Sequence, residues 1–211
     1  MHFNLYVTMS FKKLIEPLKT NLKAKGIESP TELQNLILSK IKGGISMFCV
    51  APTGSGKTTS IILSVIQKLN GQSLGDAPRA LIFVKDKEAA LHLEEEFKPY
   101  LKGTDLRVYS VYDEFNVELQ REEIFLGVDI VITTPKRLNK IFYLSSINLN
   151  ELQMFIVEDA EFLFRNNLFA EVARTPESIE KCQYLVFTTK FDQRFERWQD
   201  SFMFNSQIIT L

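Results

Sequence analysis

The stretch ISMFCVAPTGSGKTTSIILSVIQK, residues 45–68, joins three patterns that together decide the fold. Its first part, ISMFCV, is a nearly continuous apolar run of strand length. Its last part repeats apolar side chains at helical spacing, and Asn70-Gly71 then stops the helix. The middle part contains Gly54 and Gly56. The stretch therefore predicts a buried strand, a glycine-rich loop and a helix, which is the first unit of an α/β fold.

The loop between this strand and helix has the composition of a phosphate-binding site. Gly54 and Gly56 permit positive φ angles, so that bare backbone N–H groups can turn inward at a helix N-terminus and hold an anion. Lys57 would reach the β- and γ-phosphates of a nucleotide, and the Thr58 hydroxyl would hold Mg²⁺. An ordinary glycine-rich turn is the alternative. The candidate nucleotide-binding residues are Ala51, Pro52, Thr53, Gly54, Ser55, Gly56, Lys57, Thr58 and Thr59.

Further apolar runs of strand length alternate with helical patterns along the chain. Strand, helix and strand in repetition predict a mainly parallel sheet with helices on both faces. Before the first strand, helical segments form a preface in which Ser29, Pro30 and Glu32 predict a capping box, with Ser29 as the N-cap. The predicted strands are residues 45–50, 80–84, 107–112, 129–134, 154–158, 184–189 and 207–211.

Bulk composition favours one soluble domain. The chain has 211 residues, 45% of them hydrophobic, and a formal net charge of −1, so no overall positive field attracts nucleic acid. Its two cysteines lie far apart, which suits a reducing compartment and gives no metal-binding framework. No stretch is long and apolar enough for a membrane span, and the first ten residues lack the features of a signal peptide. We therefore expect a cytoplasmic protein.

The stretch FIVEDAEFLF, residues 155–164, places acids directly after a predicted strand. Glu158 and Asp159 should emerge at the carboxyl edge of the sheet, where the phosphate loop also opens. One acid could bind Mg²⁺ and the other could polarise the attacking water, which makes Lys57, Glu158 and Asp159 the candidate catalytic residues and Thr58 and Glu158 the candidate metal ligands. A solvated strand edge is the alternative.

Several motifs together resemble the first RecA-like domain of DEAD-box RNA helicases. APTGSGKT (51–58) fits that family's A-x-T-G-x-G-K-T, and GIESPTELQ (26–34) resembles the Q motif, in which Gln34 would read adenine and Phe11 would stack on it. EDAE (158–161) stands in the place of D-E-A-D and TTK (188–190) in that of S-A-T. The resemblance implies a RecA-like fold, ATP and Mg²⁺ as cofactors, ADP as product and RNA as a partner.

TPKR (134–137) resembles the family's T-P-G-R, which holds RNA backbone. From the residues themselves, Thr134 can cap a helix that begins at Pro135, whose free N–H groups and Arg137 would seat a phosphate. An ordinary capped helix is the alternative. The candidate RNA-binding residues are Thr134, Pro135, Lys136 and Arg137.

Departures from the family pattern predict that nucleotide binding survives better than hydrolysis. Glu158 and Asp159 exchange the side-chain lengths of the family's first two acids, and Lys190 replaces a hydroxyl residue. YDEFN (112–116) adds acids where the family has a glycine pair that meets RNA, so RNA affinity should be weak. Two functions therefore remain open. One is the ATP-binding domain of an RNA helicase, and the other is a hydrolysis-deficient nucleotide-binding module that regulates a partner protein.

The resemblance divides the chain into a helical extension with the Q-motif-like segment, residues 1–42, and a RecA-like ATP-binding domain, residues 43–211. The family's second RecA-like domain has no counterpart before Leu211. We therefore expect a second RecA-like domain or a protein partner to complete the site, and we do not expect the chain alone to unwind RNA.

Overall fold

The computed structural model describes residues 11–144, 147–165, 167–179 and 181–211, and these contain one sheet of seven parallel strands. The strand order is β3-β4-β2-β5-β6-β1-β7. Every strand predicted from the sequence is present, with ends that differ by one or two residues. The first ten residues of the predicted extension lie outside the described residues. The strands are β1 (Met47–Val50), β2 (Ala80–Phe83), β3 (Val108–Val111), β4 (Ile130–Thr133), β5 (Met154–Val157), β6 (Gln183–Thr188) and β7 (Gln207–Thr210).

Helices cover both faces of this sheet. Apolar residues of the first four helices share one core with one face of the strands, and those of the last four share a second core with the other face. Successive strand residues alternate between the two cores: Phe48 lies in the second, and its neighbours Met47 and Cys49 lie in the first. The helices are α1 (Glu16–Ala24), α2 (Glu32–Lys42), α3 (Lys57–Lys68), α4 (Lys87–Phe97), α5 (Val117–Phe125), α6 (Pro135–Tyr143), α7 (Leu168–Ala173) and α8 (Glu196–Gln199).

The N-cap predicted at Ser29 is wrong, because α2 begins two residues later. Thr31 is the N-cap: its hydroxyl accepts the N–H of Gln34, and the Gln34 side chain accepts the N–H of Thr31. Two overlapping segments fit the capping-box pattern, one starting at Ser29 and one at Thr31. The Thr31 hydroxyl also donates to the Ser55 carbonyl at 2.9 Å. This contact with the glycine-rich loop stabilises Thr31 as the N-cap.

A buried ionic network lies at the amino end of β4. Asp129 is fully buried, and its carboxylate accepts from Arg79 at 2.6 Å and from the Arg107 side chain at 3.0 Å. The same carboxylate accepts backbone N–H groups from Leu74 and Arg107. Burial alone would raise the pKa of Asp129, but these hydrogen bonds outweigh it and hold its pKa below the usual value. The network therefore joins the loop before β2 to the starts of β3 and β4.

The aromatic segment after β6, residues 191–203, packs against the second face of the sheet. Phe195 and Trp198 are fully or almost fully buried, and the Trp198 ring stacks on Phe169 with centroids 4.6 Å apart. The Phe195 ring, next to α8, also contacts Phe48 of β1 with centroids 5.2 Å apart. None of the helices in the described part of the chain has the length and apolar composition of a membrane span.

Candidate nucleotide-binding site

The strand order brings the phosphate-type loop and the acidic segment to one edge of the sheet. β6 pairs with β1 on one side and with β5 on the other, all parallel. The segments that follow these three strands are APTGSGKT, TTK and EDAE. Because parallel strands end at the same edge, the three segments form one continuous rim. This rim is the candidate nucleotide-binding site.

Two glycines give the loop its shape. Gly54 has φ 82° and Gly56 has φ 92°, conformations that L side chains rarely adopt. A Cβ atom at Gly56 would lie 2.9 Å from Gln34 Nε2 and 3.0 Å from Thr31 Oγ1, whereas a Cβ at Gly54 would meet nothing within 4 Å. Gly56 is therefore required both by its backbone angle and by the close approach of α2.

Lys57, the first residue of α3, is held inside the loop. Its ammonium group donates to the carbonyls of Ala51 at 3.0 Å and Pro52 at 3.3 Å, and its side chain is 8% exposed. Asp159 Oδ1 lies 3.6 Å from the Lys57 Nζ, with the Asp159 side chain 62% exposed. Lys57 thus already contacts the acidic segment across the rim.

Thr58 makes the second contact between the loop and the acids. Its hydroxyl donates to Glu158 Oε1 at 2.8 Å. Burial raises the pKa of Glu158 to about 7, with the nearby Asp159 charge adding to the rise, although the Thr58 hydrogen bond and the charges of His92 and Lys57 act against it. Two hard oxygen donors, a hydroxyl and a carboxylate, therefore meet at the mouth of the loop.

These donors fit Mg²⁺. Magnesium binds oxygen ligands and in nucleotide sites takes one or two protein carboxylates together with substrate phosphates and water. Among the described residues, no three His, Cys, Asp or Glu side chains cluster as a metal site. Thr58 and Glu158 would hold the ion, which would supply charge neutralisation to the phosphates.

The segment predicted to read adenine lies against the loop. Gln34 is 2% exposed, and its amide nitrogen approaches Gly56, while its amide oxygen accepts the Thr31 N–H. Phe11 lies in a short 3₁₀ helix, Phe11–Lys13, and is partly buried against the first core. The sequence analysis did not predict the contact of Thr31 with Ser55. The capping-box pattern that starts at Thr31 indicated only that Thr31 could be an N-cap.

Glu161, the last acid of EDAE, connects this segment to β6. Its carboxylate accepts from the Thr188 hydroxyl at 3.1 Å and from both the hydroxyl and the N–H of Thr189. Burial raises the pKa of Glu161, but the hydrogen bonds from Thr189 outweigh this and keep its pKa below normal. Thr189 is thus a second hydroxyl partner that the sequence comparison did not identify.

TPKR lies on the same rim but away from the loop, because three strands separate β4 from β1. Four strand spacings of about 4.8 Å put the two segments roughly 19 Å apart. The Thr134 hydroxyl does not cap α6; it donates to Asp113 Oδ2 at 3.0 Å. The expectation of a Thr134 side-chain cap is therefore wrong, because the hydroxyl is oriented toward a carboxylate of the loop after β3 and does not accept an N–H of α6.

Arg137 has partners that the sequence did not predict. It is 3% exposed, and its guanidinium donates to the carbonyls of Tyr112 at 2.7 Å, Asp113 at 3.0 Å and Phe115. It therefore holds the YDEFN segment in place. Lys136 is the exposed cation of TPKR, and the RNA-binding role of this motif stays a prediction.

The parallel sheet, the glycine loop at a helix N-terminus and the two facing acids together define a P-loop nucleotide-binding domain of the RecA-like type. A family model described as DEAD/DEAH box helicase matches residues 31–197. The chain therefore belongs to the DEAD/DEAH box helicase family.

Known proteins agree with this assignment. The chain is 33% identical over 152 residues to the ATP-dependent RNA helicase DBP10 of Scheffersomyces stipitis, an alignment that covers 72% of this chain and 16% of that protein. It is 29% identical over 183 residues to the probable ATP-dependent RNA helicase DDX46 of Homo sapiens, with 83% of this chain and 18% of the relative covered. The chain thus spans less than a fifth of the length of these relatives.

Solved structures match the fold. A DEAD box protein from the hyperthermophile Methanococcus jannaschii superposes with a TM-score of 0.87 at 20% identity, over 97% of this chain and 56% of that one. The yeast DEAD-box splicing factor Prp28 gives a TM-score of 0.84 at 20% identity, over 94% of this chain and 50% of that one. The α/β architecture inferred from the sequence is confirmed.

Proposed function

We propose that this chain binds Mg²⁺-ATP between its glycine loop and the EDAE segment, as the first RecA-like domain of an ATP-dependent RNA helicase. The observation that carries the proposal is the pair of contacts across the rim, Lys57 to Asp159 at 3.6 Å and Thr58 to Glu158 at 2.8 Å. The groups that would meet phosphate and metal therefore lie on facing segments of one rim.

Each residue at the rim has a defined task in this proposal. Backbone N–H groups of the loop surround the phosphates, and the Lys57 ammonium leaves the Ala51 and Pro52 carbonyls to pair with phosphate oxygens. Asp159 is exposed and its carboxylate approaches Lys57, so it is placed to orient the attacking water. Glu161 would transmit changes at EDAE to β6 through Thr188 and Thr189.

A second candidate function is a nucleotide-binding module with little hydrolysis that regulates a partner. Two observations favour it. Glu158 reaches Thr58 with a side chain one carbon longer than the aspartate that the family pattern has there, and misplacement of about 1 Å can cost roughly a hundredfold in rate. The Arg137 guanidinium is bonded to backbone carbonyls, which leaves one cation fewer for RNA phosphates.

Steady-state ATP hydrolysis separates the two candidates. The assay uses the protein that contains this chain, with and without single-stranded RNA, beside a Lys57→Ala variant. RNA-stimulated turnover that Lys57→Ala abolishes supports the helicase domain. Saturable ATP binding with turnover equal to that of the variant supports the module, and no ATP binding contradicts both.

A further inference from the structure

Helix α5 (Val117–Phe125) presents an apolar line to solvent on the side that does not pack on the sheet. Leu119 is 47% exposed and Leu126, the C-cap residue, is 72% exposed, whereas Gln120 and Ile124 are buried. Leu119 and Leu126 are seven residues apart, which is about two helical turns, so they lie along one line. Phe125 beside them is 84% exposed. Large apolar side chains grouped this way on a surface mark interaction sites.

Carboxylates flank this line on both sides. Glu122 and Glu123 each lie three or four residues from both leucines, one on either side of the line. Both are exposed, and neither forms an ion pair with any residue of the described ranges. Glu118 pairs with Arg121 at 2.6 Å. Residues 113–126 contain five acids and one base, so the local field is negative.

Part of the positive charge near this face is already paired, although Lys136 of TPKR is exposed. The nearby Lys87 ammonium donates to Glu114 at 2.9 Å, and Arg137 is buried against backbone carbonyls. The Thr134 hydroxyl donates to Asp113. The exposed acids of α5 therefore favour a cationic partner on this face.

We propose that the α5 face, formed by Leu119, Glu122, Glu123, Phe125 and Leu126, docks a basic amphipathic helix of a partner protein. The apolar stripe of that helix packs along Leu119 and Leu126, and its flanking lysines or arginines pair with Glu122 and Glu123. Helix-against-helix recognition uses this arrangement of an apolar seam between charged flanks. The site is separate from the nucleotide rim, so it does not depend on ATP chemistry.

The test measures binding of a fluorescent synthetic helix of about five turns that carries leucine along one line and lysine on both sides. A peptide of the same composition in scrambled order is the control ligand. The chain should bind the amphipathic peptide in a saturable and salt-sensitive manner, and amide shifts in NMR spectra should concentrate on residues 117–126. Leu119→Ser/Leu126→Ser and Glu122→Gln/Glu123→Gln should each weaken binding roughly tenfold or more.

Glu94→Gln/Glu95→Gln is the control for loss of charge alone, because α4 also carries adjacent acids but no two exposed leucines seven residues apart. It should change affinity less than about threefold, as a solvated face would. All three variants should keep the thermal stability of the chain, since the changed side chains lie on exposed or partly exposed helix faces. The proposal is overturned if the peptide does not bind, if the α4 variant loses as much as the α5 variants, if the scrambled peptide binds as well, or if α5 mediates dimerisation of the chain.

Discussion

Substituting alanine at Gly56 should destabilise the protein much more than the same change at Gly54. Both positions have positive φ, 92° and 82°, so each alanine carries a backbone cost of about 1–2 kcal/mol. At Gly56 the new Cβ would also lie 2.9 Å from Gln34 Nε2 and 3.0 Å from Thr31 Oγ1. Overpacking of this kind adds roughly 1–3 kcal/mol. We expect a total of about 2–5 kcal/mol for Gly56→Ala.

Urea unfolding followed by circular dichroism measures the free energy of unfolding for both variants. A double-mutant cycle with Gln34→Ala isolates the steric part, because removing the closest side chain should reduce the cost of Gly56→Ala. Equal losses for Gly54→Ala and Gly56→Ala would refute the reasoning, since both share the backbone cost and only one meets α2. Additivity with Gln34→Ala would refute it as well.

Further predictions concern the charges of the fold and of the site. Asp129→Ala should lower the free energy of unfolding by about 3–5 kcal/mol in urea titrations, because it leaves Arg79 buried without its carboxylate. The pKa of Asp129 is held below its usual value. The stability that its carboxylate contributes is therefore present above the usual pKa and is lost as the pH falls through the lowered pKa. Asp129→Asn should make the free energy of unfolding depend less on pH in this acidic range. The pKa of Glu158 is raised to about 7. Without metal, the stability that its protonated side chain contributes is therefore full at acid pH and is lost as the pH rises to about 7. Glu158→Gln should remove this decline of the thermal unfolding temperature with pH. Exchanging the acids in Glu158→Asp/Asp159→Glu should raise single-turnover ATP hydrolysis by up to roughly a hundredfold with little change in ATP affinity, and turnover that falls or stays constant would show that side-chain order does not limit the reaction.

Local pattern was enough to predict the sheet. The five inner strands are mostly apolar runs because both of their faces are covered, whereas the edge strands β3 and β7 are partly exposed. The helix after the loop followed from the spacing of Ile61, Val65 and Leu69, which are all buried. These features depend on residues close in sequence, so a single chain reveals them.

The partners of polar side chains were harder to predict. The sequence places Arg137 two residues after a proline at a helix start, which suggests a phosphate seat, but its guanidinium is bonded to carbonyls 22 to 25 residues earlier in the chain. The N-cap is Thr31 and not the predicted Ser29, and the Thr31 hydroxyl is held by a contact with Ser55, 24 residues away. Such contacts depend on how β3, α2 and the loop are placed by the sheet, which the local pattern does not encode.

The acids of EDAE illustrate both cases. Their position at the end of a buried strand is a local property, and it predicts that they face the loop. Glu158 bonds to Thr58 and Asp159 approaches Lys57. These pairings depend on the strand order β5-β6-β1, which leaves only β6 between the two segments. The sequence motif alone gives the residues, and the topology gives their pairing.

Calorimetric titration of the chain with ATP at millimolar magnesium tests the central claim most directly, which is that the glycine loop and the facing acids form a nucleotide site. We predict saturable binding at one site that Lys57→Ala weakens by roughly tenfold or more, because a charge-assisted contact to phosphate is lost. Lys68→Ala, at the exposed far end of the same helix, should bind as the unmodified chain does. Absence of saturable binding, or equal affinity in the Lys57→Ala variant, would contradict the account.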